Sequence, residues 1–229
     1  MDCKTPCVHE VGRTGALDGG VDPTRVRLAK HPHTAAETSA LGARFLGSLR
    51  RIVFGISLDE TTFKRRGFRS NDAGMQQRLE RVGRVFLLGY HAALSCDKLE
   101  ELVLQLEEVE PEFRGFAFEG AAMGLALLDR FSPWRKNRLR ALLDGPGKPH
   151  PYMVHVGAGW ALARLGGRVE RSLARLDPLL SWLAVDGYGF HEGYFHWRRY
   201  VKGYANADNK LSNYGRRVFD QGLVEASGS

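Results

Sequence analysis

A glycine-rich helical segment that recurs along the chain is the feature that most constrains its fold. Gly120-Ala121-Ala122-Met123-Gly124-Leu125-Ala126-Leu127-Leu128 matches Gly157-Ala158-Gly159-Trp160-Ala161-Leu162-Ala163-Arg164-Leu165 as Gly-Ala-x-x-small-Leu-Ala-x-Leu. Phe118-Glu119 and His155-Val156 stand just before the two copies. A third occurrence, His191-Glu192-Gly193, follows at nearly the same interval, roughly 36 residues, which suits a paired-helix repeat unit. A separate echo joins Arg84-Val85-Phe86-x-x-Gly89 to Arg217-Val218-Phe219-x-x-Gly222. Glycine weakens a helix, so its use here points to close helix contact through Gly120, Ala121, Gly124, Gly157, Gly159 and Ala161. The expected fold is all-α, with helical-hairpin repeats forming a solenoid or α/α-barrel-like single domain.

The rest of the pattern agrees with helix following helix. Leu41, Phe45, Leu49 and Ile52 form one stripe ending near Gly55; Leu79, Val82, Val85 and Phe86 form another. Leu99, Leu102, Val103, Leu106 and Val109 form a third, with Asp97 read as its cap and Pro111 as its stop. Segments 133–143 and 169–183 are expected as outer partners, the second entered through Asp177-Pro178. No stretch alternates with period two for long enough to read as a strand. Residues 1–40 carry scattered Gly and Pro and no apolar period, so they are read as a flexible leader before a helical domain spanning 41–229. Cys3-x3-Cys7-x-His9 falls in that leader and lacks the four paired ligands of a structural zinc site.

Composition narrows the function classes. Hydrophobic residues at 43% and charged residues at 26% are ordinary for a globular chain, and no apolar run is long enough to span a bilayer. There is no apolar secretory region after Met1, and three cysteines make a disulfide framework improbable, so a cytoplasmic setting is expected. The net charge of +7 is laid out in blocks: +6 over 41–95, −6 over 96–132 and +6 over 133–180. A nucleic-acid binder would more often carry one continuous basic face, so nucleic acid is an unlikely partner and attraction between neighbouring elements or copies is favoured. The run Lys64-Arg65-Arg66-Gly67-Phe68-Arg69 reads as an ordinary solvated turn rather than a phosphate site.

Candidate chemistry sits beside the repeat glycines. If the copies superpose, Glu119, His155, His191 and Glu192 lie at equivalent helix ends and can converge on one rim, to act as an acid–base pair or to bind a metal. Glu192 and His196 are four apart on one helical face, a spacing suited to joint chelation. His191 and His196 should diverge by about 140° on an ideal helix. A Glu or His at such a position can equally satisfy exposed first-turn amides. Segment 186–200 holds six aromatics, two histidines and two carboxylates. It reads either as core or as the wall of an apolar pocket, with Tyr188, Phe190, Tyr194 and Trp197 meeting an elongated ligand and Arg198 its anionic end. No complete catalytic or cofactor motif occurs, so cofactor and metal stay unassigned.

The run Gly187-Tyr188-Gly189-Phe190-His191-Glu192-Gly193-Tyr194-Phe195-His196-Trp197 carries a family resemblance. It is joined by Phe113-Arg114-Gly115-Phe116-Ala117-Phe118-Glu119-Gly120, Tyr152-Met153-Val154-His155-Val156-Gly157 and Gly89-Tyr90-His91. Over roughly residues 45–223 the chain resembles a bacterial family of unknown function encoded in enediyne antibiotic clusters. The resemblance implies an accessory role in enediyne biosynthesis, acting on or binding a polyketide-derived polyene or core precursor. It transfers no catalytic residue. The family continues past Arg217–Gly222 with further helices, so this chain is expected to be C-terminally short and to complete its packing as a homo-oligomer. The alternative is a non-catalytic binding, chaperone or scaffold protein that meets other enzymes of the pathway.

Overall fold

The computed structural model describes residues 35–132, 137–201 and 211–227. The leader up to residue 34, with Cys3, Cys7 and His9, lies outside them. The described residues are helical and contain no strand: α1 (Ala35–Phe54), α2 (Phe63–Arg66), α3 (Ala73–Ser95), α4 (Leu99–Glu107), α5 (Pro111–Phe131), α6 (Arg138–Asp144), α7 (Pro151–Leu165), α8 (Val169–Leu173), α9 (Leu183–Val201) and α10 (Asn213–Ser227). A single 3-10 turn, Leu58–Thr61, precedes α2. None of these helices is long and apolar enough to cross a membrane.

Local sequence accounts for most boundaries. Asp72 caps α3 by accepting from the Gly74 and Met75 amides at 2.8 and 3.1 Å. Pro111 and Pro151 open α5 and α7 at the first turn, where a missing N–H costs nothing. Pro111 is therefore the start of α5 rather than the stop of α4, which already ends at Glu107. Asp97 does not cap α4 either; its carboxylate pairs with Arg50 at 2.8 Å and ties α1 to that corner. Asp177 does accept from the Leu179 and Leu180 amides, at 2.8 and 3.1 Å, in the turn leading into α9. The first helix begins at Ala35, earlier than its apolar stripe.

The long helices pack in chain order, α3 on α5, α5 on α7, α7 on α9 and α9 on α10. A Cβ on Gly120 would meet Phe86 and Tyr90, and one on Gly124 would meet Tyr90 and Ala93, so both helices advance together. The same rising register relates Gly115 to Met153 and Gly157 to Glu119 and Ala122. Helices α3, α5, α7, α9 and α10 thus run in like sense, and the short helices α4, α6 and α8 lie in the connections between them.

One contact rule repeats at every junction. Gly120 lies on the Phe86 carbonyl, Gly157 on that of Glu119, Gly187 on that of Val156 and Gly222 on that of Asp186. A methyl group at any of them would overlap that oxygen, so each helix meets its predecessor backbone to backbone. A reciprocal contact sits three residues after Phe86, Val156 and Asp186: Gly89 meets the Ala117 carbonyl, Gly159 that of Ala184 and Gly189 that of Phe219. The third copy of the repeat is therefore set by Asp186-Gly187, six residues before the His191-Glu192-Gly193 register expected from sequence. Gly193 packs instead on Leu223 and Ala226 of α10.

Apolar side chains fill both sides of this row. Ala93, Leu102, Leu106, Phe118, Leu125 and Leu142 join the inner helices to α4 and α6. Phe86, Tyr90, Met123, Leu127 and Trp160 form a second core, against which Phe54, Ile56, Phe190 and Tyr194 pack. A third core, around Val169, Leu173, Val185 and Phe219, joins α8 to α9 and α10. Exposed large apolar residues gather on α1, at Phe45, Leu46, Leu49, Ile52 and Val53. The exposed side of α10 is mostly polar, with Tyr214 and Val224 its large apolar members.

A carboxylate-lined cavity and a histidine cluster

A cavity of about 800 Å³ lies along one side of the helical row. Helices α3, α5, α7 and α9 line it with residues one turn apart, the spacing that puts side chains on one face. These are Leu79, Val82 and Phe86 from α3, Phe116 and Glu119 from α5, and Met153, Val156 and Trp160 from α7. From α9 come Asp186, Phe190, Tyr194 and Trp197, and from α10 Glu225 and Ala226. The repeated contact rule fixes the floor. Phe86, Glu119, Val156 and Asp186 are the four residues whose carbonyls receive the next helix's glycine, and all four line the cavity.

The segment between α1 and α3 covers the opposite wall with Ile56, Thr61, Phe63 and Phe68. Tyr194 donates from its hydroxyl to the Glu60 carbonyl at 2.8 Å, and the Phe63 amide donates to the Glu80 carboxylate at 3.0 Å. Phe68 meets the Tyr194 ring edge-on at 5.8 Å. Within the basic run, Arg65 and Arg66 both pair with Glu60, and the Arg66 guanidinium lies over the Phe195 ring at 4.9 Å. Those arginines are engaged in holding the cover.

Two acids on the floor have displaced acidities. Burial pushes the Glu119 carboxyl up to about 8; the Trp160 indole leaning toward it opposes the rise and Asp186 adds to it. Burial, with Glu225 nearby, pushes Asp186 up to about 6. Asp186 Oδ1 and the Trp160 indole nitrogen are buried without a hydrogen-bond partner of normal geometry. At neutral pH Glu119 is thus a neutral acid facing an apolar space, able to give a proton, beside a carboxylate able to take one.

A second polar group lies behind the cavity wall. His191 Nδ1 stands 3.2 Å from Glu192 Oε1, and His196 Nδ1 stands 3.2 Å from Glu192 Oε2. Tyr200 donates its hydroxyl to Glu192 Oε2 at 3.1 Å. The His191 ring packs edge-on to Trp160 at 5.6 Å and lies 4.8 Å from the Phe195 ring. Burial lowers the His191 pKa; burial would raise that of Glu192, but the hydrogen bond from His191 and the adjacent imidazoles hold it below its ordinary value. His191 and His196 nevertheless flank one carboxylate, because Glu192 adjoins the first and shares a helical face with the second four residues on. The backbone of α9 leaves the helical conformation at His196, with φ −128° and ψ 17°.

The residues singled out from sequence therefore fall into separate places. Glu119, Phe190, Tyr194 and Trp197 line the cavity. His191, Glu192 and His196 form the cluster behind it. His155 belongs to neither: it is 2% exposed, and its Nδ1 lies 2.6 Å from the Pro151 carbonyl of its own helix. Tyr188 packs on Phe219 in the third core, with ring centroids 5.1 Å apart. Arg198 is exposed and stacks on Trp197 at 5.4 Å. Sequence reasoning missed Asp186 and Glu225. Asp186 was within reach, because Asp186-Gly187-x-Gly189 copies Val156-Gly157-x-Gly159 more closely than His191-Glu192-Gly193 does.

Over the described residues, fold and site together define a helical protein whose glycine-docked helices border an apolar, acid-floored cavity. The chain belongs to the family described as protein of unknown function DUF1702, whose model matches residues 45–227. No characterised protein and no solved structure is significantly similar to it.

Proposed function

We propose that this protein binds an elongated apolar molecule, of the conjugated polyene class, in the cavity and moves a proton to or from it through Glu119. The supporting observation is the floor: a buried neutral acid and a second acid, held at equivalent positions on α5 and α9, facing a space walled by aromatic and aliphatic side chains. A volume of about 800 Å³ suits a ligand of drug-like size or larger. The acidic floor favours a neutral ligand, since an anion would face Glu119, Asp186 and Glu225. Protonation of a conjugated chain by a buried acid, with loss of a proton elsewhere, shifts double bonds or starts ring closure without any oxidant. A polyketide-derived polyene from enediyne biosynthesis, in a cytoplasmic setting, is the substrate that the sequence resemblance suggests.

The same proposal includes the architecture. We read the row of like-directed inner helices with short outer partners as a helical-hairpin solenoid, whose side supplies the cavity. Homo-oligomer formation and contact with other pathway proteins belong to the same reading.

Retinol, a neutral conjugated polyene alcohol, is a usable probe because Trp160 and Trp197 line the cavity and report binding by quenching. Saturable quenching is expected. Phe190→Ala removes about 1.5–3 kcal/mol of apolar contact and weakens binding roughly 10- to 100-fold. Glu119→Gln keeps binding but abolishes solvent-deuterium incorporation into the bound polyene. No saturable binding refutes the proposal, and binding without exchange in the unmodified protein reduces it to a shielding role.

A further inference from the structure

We propose that His191, Glu192 and His196 form a binding site for one divalent transition-metal ion of the zinc class, oriented by Tyr200. It is a different site from the cavity and does not rest on the polyene reading.

Two imidazoles and a carboxylate are the donor set that first-row divalent ions prefer. One ligand atom from each lies within 4.8 Å of the others. Ligands about 2.0–2.2 Å from a tetrahedral ion stand roughly 3.3–3.5 Å apart. Each imidazole Nδ1 is already 3.2 Å from a Glu192 oxygen. The two imidazoles meet different oxygens of Glu192, and with one ligand atom taken from each residue no pair has more than roughly 1.5 Å to close to reach that spacing. Side-chain rotation of His196, the most exposed member at 37%, can supply it.

Five residues along an unbroken helix turn two side chains about 140° apart. Glu192 bridges that divergence, since it adjoins His191 and shares a helical face with His196 four residues on, while the backbone leaves the helical conformation at His196 itself. The Tyr200 hydroxyl donates to Glu192 Oε2, an outer contact of the kind that fixes a ligating carboxylate. Three protein ligands leave one tetrahedral position for water.

Cobalt(II) tests this directly, because tetrahedral cobalt with nitrogen and oxygen ligands absorbs in the visible. The whole chain, stripped with chelator, is titrated alongside His196→Ala and Tyr200→Phe. The expected result is one equivalent more in the unmodified protein than in His196→Ala, with tetrahedral bands absent from the variant. Zinc displaces the cobalt and raises the melting temperature of the unmodified protein alone. Tyr200→Phe retains the bands with affinity lower by about 10- to 100-fold. Equal cobalt uptake by the unmodified protein and His196→Ala overturns the proposal, since uptake then comes from Cys3, Cys7, His9 or the surface. Unchanged circular dichroism of His196→Ala ensures that a loss reports the site rather than unfolding. Retinol binding is read separately, so failure of either assay leaves the other intact.

Discussion

Replacing Gly157 by alanine tests the backbone docking that organises the whole row. The new Cβ would lie 2.8 Å from the Glu119 carbonyl carbon, closer still to its oxygen, and 3.0 Å from the Ala122 Cβ. Ordinary carbon contacts are about 3.5–4.0 Å, so α5 and α7 must part by roughly 1 Å. Overpacking a core costs about 1–3 kcal/mol, and with backbone as the obstacle the upper end applies. Alanine returns about 1 kcal/mol of helix propensity relative to glycine. The net loss is about 2 kcal/mol, which lowers the melting temperature by about 4–8 °C in a chain of this size. Gly42→Ala provides the contrast: a Cβ there meets nothing within 4 Å, so only the propensity gain remains. Thermal and urea unfolding followed by far-ultraviolet circular dichroism measures both. A Gly157→Ala protein as stable as the unmodified one would refute the docking argument.

Two further outcomes follow from the site. Glu119 holds its proton in the folded chain up to about pH 8 but releases it near its ordinary value of 4.5 when unfolded. The folded state binds more protons between those values, so stability falls as pH rises through that window, by at most about 1.4 kcal/mol per pH unit from this group. Asp186, raised to about 6, adds the same sign at the acidic end. Urea midpoints against pH should flatten in Glu119→Gln; identical slopes in the two proteins would contradict the burial argument. Tyr194→Phe deletes the bond to the Glu60 carbonyl at a cost of about 1 kcal/mol. Hydrogen exchange should quicken at the amides from Glu60 to Gly67, and unchanged protection there would show that the tyrosine does not hold the cover.

The glycine pattern was legible because close helix approach leaves a mark on the residues that make it. Gly120, Gly124, Gly157 and Gly159 all meet neighbouring helices as their composition implies. The third copy was misplaced because His191-Glu192-Gly193 resembles Phe118-Glu119-Gly120 in letters, whereas the contact is made by Asp186-Gly187. The pairing of His196 with Glu192 was legible from their spacing of four, whereas the break in α9 was not, since no proline or glycine stands at 196. The cover over the cavity was also hidden. Its residues have no helical period, and they are placed by bonds between positions far apart in the chain, such as Tyr194 with Glu60.

The repeated glycine contact also governs how the chain can change in length. Gly120, Gly157, Gly187 and Gly222 are separated by 37, 30 and 35 residues, yet each docks at the same point on its predecessor. The connecting segments therefore carry slack: residues gained or lost there alter the outer surface and leave the cavity floor where it was. One residue inserted within an inner helix, between its floor position and its start, rotates everything before it by about 100°. Length drift is thus channelled to the outside, and the floor acids stay in register with one another however the loops around them are edited.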